Sequence, residues 1–279
     1  MWSTIPTISK LLLNDMDNYK VLSISSLFAM IAMLIINFAS GKWKIMKSYK
    51  IKDYLIMAAI GFPGVFLYYA FYYAGANLMP ASQAFIVNYL WPIMSIVFAS
   101  IILKERMTVR KVIALIMSFL GVFTVAGGDI LSFNENTIQG TIFCFLGAVC
   151  YGLYTALNKK ANYDKQVSMT VALFAAFLPS TVILLIKGGD LCIEAAQIPG
   201  LLWNGVATIA LANLFWALAL AKGSTAKIST LAYITPFLSL VWTFFVLNEK
   251  IAPISILGIS IIVAGIFIQL KDNKNVKNA

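Results

Sequence analysis

Fifty consecutive residues, from Tyr54 to Leu103, contain no charged side chain. A spanning helix needs about 20 apolar residues, so this stretch is long enough for two spans and a turn. A soluble helix would place polar residues at helical period on its exposed face, and this stretch does not. Across the whole chain 61% of residues are hydrophobic and only 11% are charged. The sequence therefore predicts an all-α polytopic membrane protein.

Charge-free stretches and turn signals divide the chain into nine full spans and one short fragment. The predicted spans are 21–40, 54–75, 82–103, 112–128, 137–158, 167–186, 198–221, 228–247 and 252–270. The fragment Met1–Leu13 covers roughly 20 Å, against a bilayer core of about 30 Å, and is too short to cross. It also lacks the basic start, long apolar run and cleavage site of a signal peptide.

The sequence beginning at Gly61 repeats at Gly205, 144 residues later and without a gap. Matched pairs include Phe71 and Phe215, Tyr89 and Tyr233, Pro92 and Pro236, Ser95 and Ser239, Glu105 and Glu249, and Gly121 and Gly265. Duplicated sets of membrane helices are a recurrent architecture of secondary transporters, with the substrate site near the midplane between the repeats.

A weaker match aligns Trp2–Lys10 with Tyr151–Lys159. Met1–Leu13 then corresponds to the end of helix 1, and we expect an upstream start in the native protein that completes this truncated helix. Each repeat then has five helices, so we expect a ten-helix (5+5) architecture with repeats at residues 1–133 and 134–279.

An odd number of helices per repeat places the second repeat upside down relative to the first. The basic residues give an independent test, because cytoplasmic loops carry an excess of lysine and arginine. With residues 41–52 in the cytoplasm, alternate segments hold seventeen of the 21 basic residues. This arrangement places residues 187–197 outside and the C-terminus in the cytoplasm.

Composition also excludes several classes of function. Histidine is absent, and the three cysteines form no CxxC pair, so we expect no metal or other cofactor. The net charge of +10 comes from lysines between spans, which indicates membrane topology rather than a nucleic-acid partner. No aspartate or glutamate lies in the middle of a predicted span. We therefore predict that the protein is not an enzyme.

Proline occurs at matched depth in two predicted spans, at Pro92 and Pro236. A proline inside a helix removes one backbone hydrogen bond and frees a carbonyl group. Interrupted helices at corresponding positions of two repeats are a sequence signal for a transporter's binding site. The alternative is a pair of packing kinks, since proline is frequent in membrane helices.

Polar and aromatic residues cluster around these prolines or at repeat-matched positions. Asn88 and Trp91 share one face of the span 82–103. The candidate substrate-binding residues are Trp2, Tyr69, Tyr72, Asn88, Trp91, Tyr151, Tyr154, Asn213, Trp216 and Tyr233. For Asn88 and Asn213 the alternative is a hydrogen bond between helices. For the aromatic residues it is an interfacial position, where tyrosine and tryptophan concentrate.

Four short motifs, together with the repeat, carry a resemblance to a known family. They are Val87-Asn88-Tyr89-Leu90-Trp91-Pro92, Trp2-Ser3-Thr4, Gly127-Gly128-Asp129 and Asn158-Lys159-Lys160. The chain resembles EamA-type members of the drug/metabolite transporter superfamily, which have two inverted five-helix repeats. Within them it is similar to the bacterial aromatic-amino-acid exporters. The resemblance implies export of amino acids and related metabolites through a central cavity, with both termini cytoplasmic.

The sequence therefore predicts a secondary transporter of the bacterial inner membrane that exports small metabolites, with amino acids first, by alternating access. Its expected partners are the substrate and the lipid bilayer, and a homodimer is left open. Efflux of cationic or aromatic drugs and a non-transporting membrane scaffold are the alternatives.

Overall fold

The computed structural model describes residues 1–104, 108–110, 112–114, 116–117, 120–121, 124, 135–222, 234–251 and 253–275. The candidate residue Tyr233 lies outside the described residues, and the predicted spans 112–128, 228–247 and 252–270 are described only in part.

The described residues form helices joined by turns and loops, and contain no strand. The main helices are α1 (Ile5–Leu13), after a 3-10 turn at Trp2–Thr4; α2 (Asn18–Ala39); α3 (Ile51–Leu78); α4 (Ala81–Ile102); α5 (Glu135–Lys160); α6 (Lys165–Ile186); α7, with consecutive segments Ile198–Leu202, Trp203–Leu211 and Ala212–Lys222; α8 (Ile234–Leu247); and α9 (Pro253–Asn275). A short α-helix at Trp43–Ser48 follows α2, and a 3-10 turn at Ala195–Gln197 precedes α7. Within the described residues, the six helices α2 to α7 are long and apolar enough to cross a bilayer. The protein is a polytopic, helical membrane protein.

Helices α2 and α6 lie antiparallel, and ion pairs join them at both ends. At one end, the Lys20 ammonium is 2.8 Å from the Asp190 carboxylate, which follows α6. At the other end, Lys42, which follows α2, is 2.6 Å from Asp164, which precedes α6. Each helix has 22 residues and an aspartate N-cap. Two helices of equal length and matching caps therefore run in opposite directions.

The Asp164 carboxylate also accepts hydrogen bonds from the N–H groups of Gln166 and Val167, the first turn of α6. Burial raises the pKa of this carboxyl, but the hydrogen bonds from Lys42 and the backbone outweigh burial and hold the pKa below its usual value. Asp164 is therefore ionised at neutral pH, and the ion pair with Lys42 is present there.

Two repeat-matched glycines allow very close helix crossings. A Cβ atom added at Gly61 of α3 would lie 2.3 Å from the Cβ of Ala172 in α6. One added at Gly205 of α7 would lie 2.3 Å from the carbonyl oxygen of Ser25 in α2. Ser25 and Ala172 stand at equal distances along the chain from the aspartate caps of α2 and α6. Helix α3 therefore crosses α6 in the same way as α7 crosses α2.

Helices α3 and α7 also share a local irregularity, a segment of π-helix. The segments are Phe62–Leu67 and Trp203–Leu211, and both end at repeat-matched leucines. A π-helical segment leaves the local hydrogen-bond pattern altered and is frequent at functional sites. In α7 the Asn213 amide donates a hydrogen bond of 2.8 Å to the carbonyl oxygen of Ile209, inside this segment. That bond fixes the Asn213 side chain beside the centre of the molecule.

Candidate functional site

Three indole rings from three parts of the chain meet near the centre of the molecule. They belong to Trp2, before α1, to Trp91 in α4, and to Trp216 in α7. The ring centroids are 5.3 Å apart for Trp2 and Trp216, 5.9 Å for Trp91 and Trp216, and 6.2 Å for Trp2 and Trp91. We call these residues the indole triangle.

Helix α4 places Trp91 in the triangle by breaking directly before it. The α-helix stops at Asn88, continues as a turn through Tyr89 and Leu90, and restarts at Trp91. Pro92 occupies the first turn of the new segment, where its missing N–H group has no intrahelical acceptor to lose. The interruption thus lies just before the proline that the sequence analysis identified.

Helix α5 brings tyrosines to the same place. The Tyr151 ring centroid is 5.0 Å from that of Trp91 and 4.8 Å from that of Tyr68. The Tyr151 hydroxyl donates a hydrogen bond of 2.7 Å to the side-chain oxygen of Asn213. Since the Asn213 amide is held by Ile209, a phenol and an amide from different helices occupy fixed positions beside the indole triangle.

These side chains surround a cavity of about 380 Å³, counted with its open mouth. Its lining residues are Trp2, Ile5, Tyr68, Tyr69, Phe85, Tyr89, Trp91, Tyr151, Asn213 and Thr235. None of these described lining residues carries a charge, so the polar groups that the cavity offers are indole N–H groups, phenol groups, one amide and the Thr235 hydroxyl, among aromatic faces. Little of this space lies free between the rings, so a ligand of amino-acid size enters only if some of them move.

The predicted site residues fall into three groups. Trp2, Tyr69, Trp91, Tyr151 and Asn213 line the cavity. Trp216 contacts the lining residues through the indole triangle, and Tyr154 lies beside Tyr151 with ring centroids 5.8 Å apart. Tyr72 and Asn88 are buried outside the lining. The backbone of Pro236 lies in the first turn of α8.

The two buried residues contact the cavity wall. The Asn88 amide donates a hydrogen bond of 2.8 Å to the hydroxyl of Tyr68, so it joins α4 to α3. The Tyr72 ring stacks on Tyr68 with centroids 6.4 Å apart. In this structure Asn88 makes the interhelical hydrogen bond that was its alternative role, and both residues support Tyr68.

Sequence reasoning missed five lining residues, namely Ile5, Tyr68, Phe85, Tyr89 and Thr235. For three of them a signal was present. Phe85 and Tyr89 stand one helical turn apart in α4, and Thr235 directly precedes the repeat-matched Pro236. Tyr68 follows the π-helical segment of α3. The direction of its ring depends on the altered register of that segment, and this register has no sequence signature.

The fold has a counterpart among solved structures. One crystal structure of a protein matches this chain with a TM-score of 0.70 at 18% identity, and the match covers 96% of this chain and 92% of the other. At that identity the match shows a shared fold.

Several curated relatives have names that describe transport. The uncharacterized transporter YyaM of Bacillus subtilis is 24% identical over 247 residues, covering 86% of this chain and 80% of its own. A probable terminal-alkyne amino-acid exporter of Streptantibioticus cattleyicolor is 24% identical, covering 91% and 85%. The aromatic amino acid exporter YddG of Ancylobacter novellus is 23% identical, covering 64% and 63%.

The strongest assignment comes from a family model that matches almost the entire chain. The model describes the EamA-like transporter family, and it matches residues 1–127 and again residues 138–270. Together with the polytopic helical fold and the named relatives, these two matches identify a membrane transporter. The chain belongs to the EamA-like transporter family.

Proposed function

We propose that the protein is a secondary transporter that exports amino acids or related small metabolites across the bacterial inner membrane by alternating access. The observation that carries this proposal is the aromatic cavity, to which both predicted repeats contribute. Trp2 and Trp91 belong to the first predicted repeat, while Tyr151 and Asn213 belong to the second. A central site between two repeats is the usual arrangement of such transporters.

The proposed architecture is an inverted pair of five-helix repeats, at residues 1–133 and 134–279. Three observations support it. The family model matches two segments with limits close to these. Corresponding helices α2 and α6 lie antiparallel. The crossings at Gly61 and Gly205 are equivalent. If the second repeat is inverted relative to the first, corresponding helices run in opposite directions. Corresponding helices are then antiparallel, and equivalent crossings occur in both repeats.

The substrate class follows from the chemistry of the proposed binding residues. Trp2, Trp91, Tyr151 and Trp216 present ring faces and edges that suit a flat or apolar side chain. The Asn213 amide and the phenol groups of Tyr69 and Tyr151 supply hydrogen bonds for a polar head group. Two relatives are named as amino-acid exporters, one of them for aromatic amino acids. An amino acid with an aromatic or apolar side chain combines both features.

Uptake into proteoliposomes tests this function. We expect purified protein to accelerate the movement of labelled tryptophan, tyrosine, phenylalanine or leucine over protein-free liposomes. Each substrate is measured with and without a pH gradient, which identifies coupling to protons. A parallel panel of cationic aromatic dyes tests drug efflux. If the protein moves the dyes but not the amino acids, drugs replace amino acids as the proposed substrate class. If it moves neither, the result contradicts transport of either class.

The proposed orientation places residues 41–52 and the C-terminus in the cytoplasm, and residues 187–197 outside. Native cysteines offer a direct test, because Cys192 is exposed while Cys144 is buried. In a variant with Cys144 and Cys150 replaced by serine, we expect a membrane-impermeant maleimide to label Cys192 from outside.

The matched measurement uses Lys47→Cys in a background without native cysteines. We expect no labelling of this position in spheroplasts and full labelling after the membrane is permeabilised. Labelling of position 47 from outside, or of position 192 only after permeabilisation, would reverse the proposed orientation.

A further inference from the structure

Glu249, which follows α8, binds the beginning of α4 with three hydrogen bonds. Its Oε1 accepts one from the N–H group of Ala81, at 2.8 Å. Its Oε2 accepts one from the N–H group of Ser82, at 3.2 Å, and one from the Ser82 hydroxyl, at 2.7 Å. Ala81 and Ser82 are the first two residues of α4, so a single carboxylate joins the two helices.

The beginning of α4 depends on this carboxylate for a cap. The first N–H groups of any helix lack intrahelical acceptors, and a side chain at the N-cap usually supplies one. Here the N-cap residue is Pro80, whose side chain has no acceptor. Glu249 supplies the acceptor from 168 residues further along the chain, and its negative charge suits the positive end of the helix dipole.

The backbone after α8 turns so that Glu249 can reach α4. Asn248 has a φ of 54°, in the left-handed region that asparagine tolerates better than most residues. Lys104, the repeat partner of Asn248, has a φ of 56°, so α4 and α8 end in the same way. The turn that directs Glu249 is therefore a feature of the fold.

A second charged side chain brings two more helices to this place. The Lys10 ammonium, in α1, donates hydrogen bonds to the carbonyl oxygens of Ala76, at 2.8 Å, and Met79, at 3.4 Å, where α3 ends. Its charge also attracts Glu249. Hydrogen bonds of Lys10 thus join the ends of α1 and α3, and those of Glu249 join the end of α8 to the beginning of α4. All four lie at the end of the molecule that the proposed orientation places outside.

The two helices that Glu249 joins both line the cavity. Helix α4 carries Phe85 one turn after Ser82, followed by Tyr89 and Trp91, and α8 carries Thr235. While the carboxylate holds the beginning of α4 against the end of α8, these helices cannot separate there. Separation at this end is the movement that would open the cavity to the outside.

We propose that Glu249 is the latch of the outer gate: its carboxylate keeps the cavity closed to the outside and is released when the cavity opens outward. This rests on the proposed transport function and orientation. Water can replace each of the three donors once α4 moves away. Because hydrogen bonds within the protein are then exchanged for hydrogen bonds to water, the net cost of release is far smaller than the strength of the bonds themselves, and the release is reversible.

Access to the cavity from outside tests the latch without requiring transport. The reporter is Phe85→Cys in a background without native cysteines, labelled in spheroplasts by a membrane-impermeant maleimide. We expect Glu249→Ala to raise the labelling rate about tenfold, because bonds to a charged group are strong and their loss shifts an equilibrium by about that factor. Ser82→Ala, which removes one of three bonds, should give a smaller increase.

Glu194→Ala is the matched control, since Glu194 also belongs to the proposed outer side but caps only its own helix, at Gln197. We expect it to leave the labelling rate unchanged. A permanent structural cap predicts a different result: Glu249→Ala would lower the unfolding temperature while a folded protein kept the parental labelling rate. That result would overturn the latch. Faster labelling in a protein that transports none of the tested compounds would keep the latch and contradict the proposed function.

Discussion

Replacing Gly205 by alanine is expected to prevent α7 from packing on α2 and to leave little folded protein. The added Cβ would lie 2.3 Å from the carbonyl oxygen of Ser25, and a backbone atom cannot move away as the end of a side chain can. Overpacking of this kind costs about 1–3 kcal/mol, and a clash with backbone belongs at the upper end of that range. The measurements are the monodisperse yield in detergent and the unfolding temperature.

Gly200→Ala is the control, because it lies in the same helix and its added Cβ would meet only the end of the Leu12 side chain, at 3.1 Å. Gly61→Ala should behave like Gly205→Ala, since it makes the equivalent crossing with Ala172. If Gly205→Ala unfolds at the same temperature as Gly200→Ala, the helices can separate at no cost, and close packing at this crossing is not required.

Replacing Trp91 by alanine is expected to reduce transport about tenfold or more. Its ring lies within 5.0 to 6.3 Å of the rings of Trp2, Tyr89, Tyr151 and Trp216, so it is the common member of several aromatic pairs. Each such pair contributes about 0.5–1.5 kcal/mol, so the loss of all four corresponds to a factor of about ten or more. Initial rates in proteoliposomes, normalised to folded protein, give the measurement.

Trp43→Ala is the matched control, because Trp43 is 38% exposed and lies outside the aromatic cavity. Trp91→Phe should retain part of the activity, since it keeps a ring in place. Asn88→Ala should also impair transport, by releasing the Tyr68 hydroxyl that it binds. Normal transport by Trp91→Ala and Asn88→Ala, or a loss explained entirely by misfolding, would show that Trp91 and Asn88 serve packing rather than substrate binding.

Much of the fold could be predicted because the bilayer imposes a simple rule on sequence. The span predicted at 167–186 lies within α6, Lys165–Ile186, since charged residues mark both ends. Where a helix continues beyond the bilayer core this rule fails. Helix α3 begins at Ile51 and includes Lys52 and Asp53, whereas the span was predicted to begin at residue 54.

The π-helical segments could not be predicted, since the change from one hydrogen-bond register to another has no characteristic composition. This also limited the prediction of the site. Trp91, Trp2 and Asn213 were found because the repeat and the Pro92 motif point to them. Tyr68 was missed because its direction depends on the turns of α3 that precede it. The hydrogen bond from Asn88 to Tyr68 depends on how closely α3 approaches α4, and a single sequence carries no information on that distance.

Substitutions are tolerated differently at the helix crossings of Gly61 and Gly205 and in the cavity. At the crossings, helices touch through backbone or Cβ atoms, so a larger side chain disturbs the whole fold. In and around the cavity, the repeat partners are already different, with Tyr69 matched to Asn213 in its lining and Tyr72 matched to Trp216 beside it. Mutations can therefore exchange one ring for another while the helices keep their places. If this cavity is the substrate site, as proposed, a new substrate preference can arise in a few steps, without first finding a new way to fold.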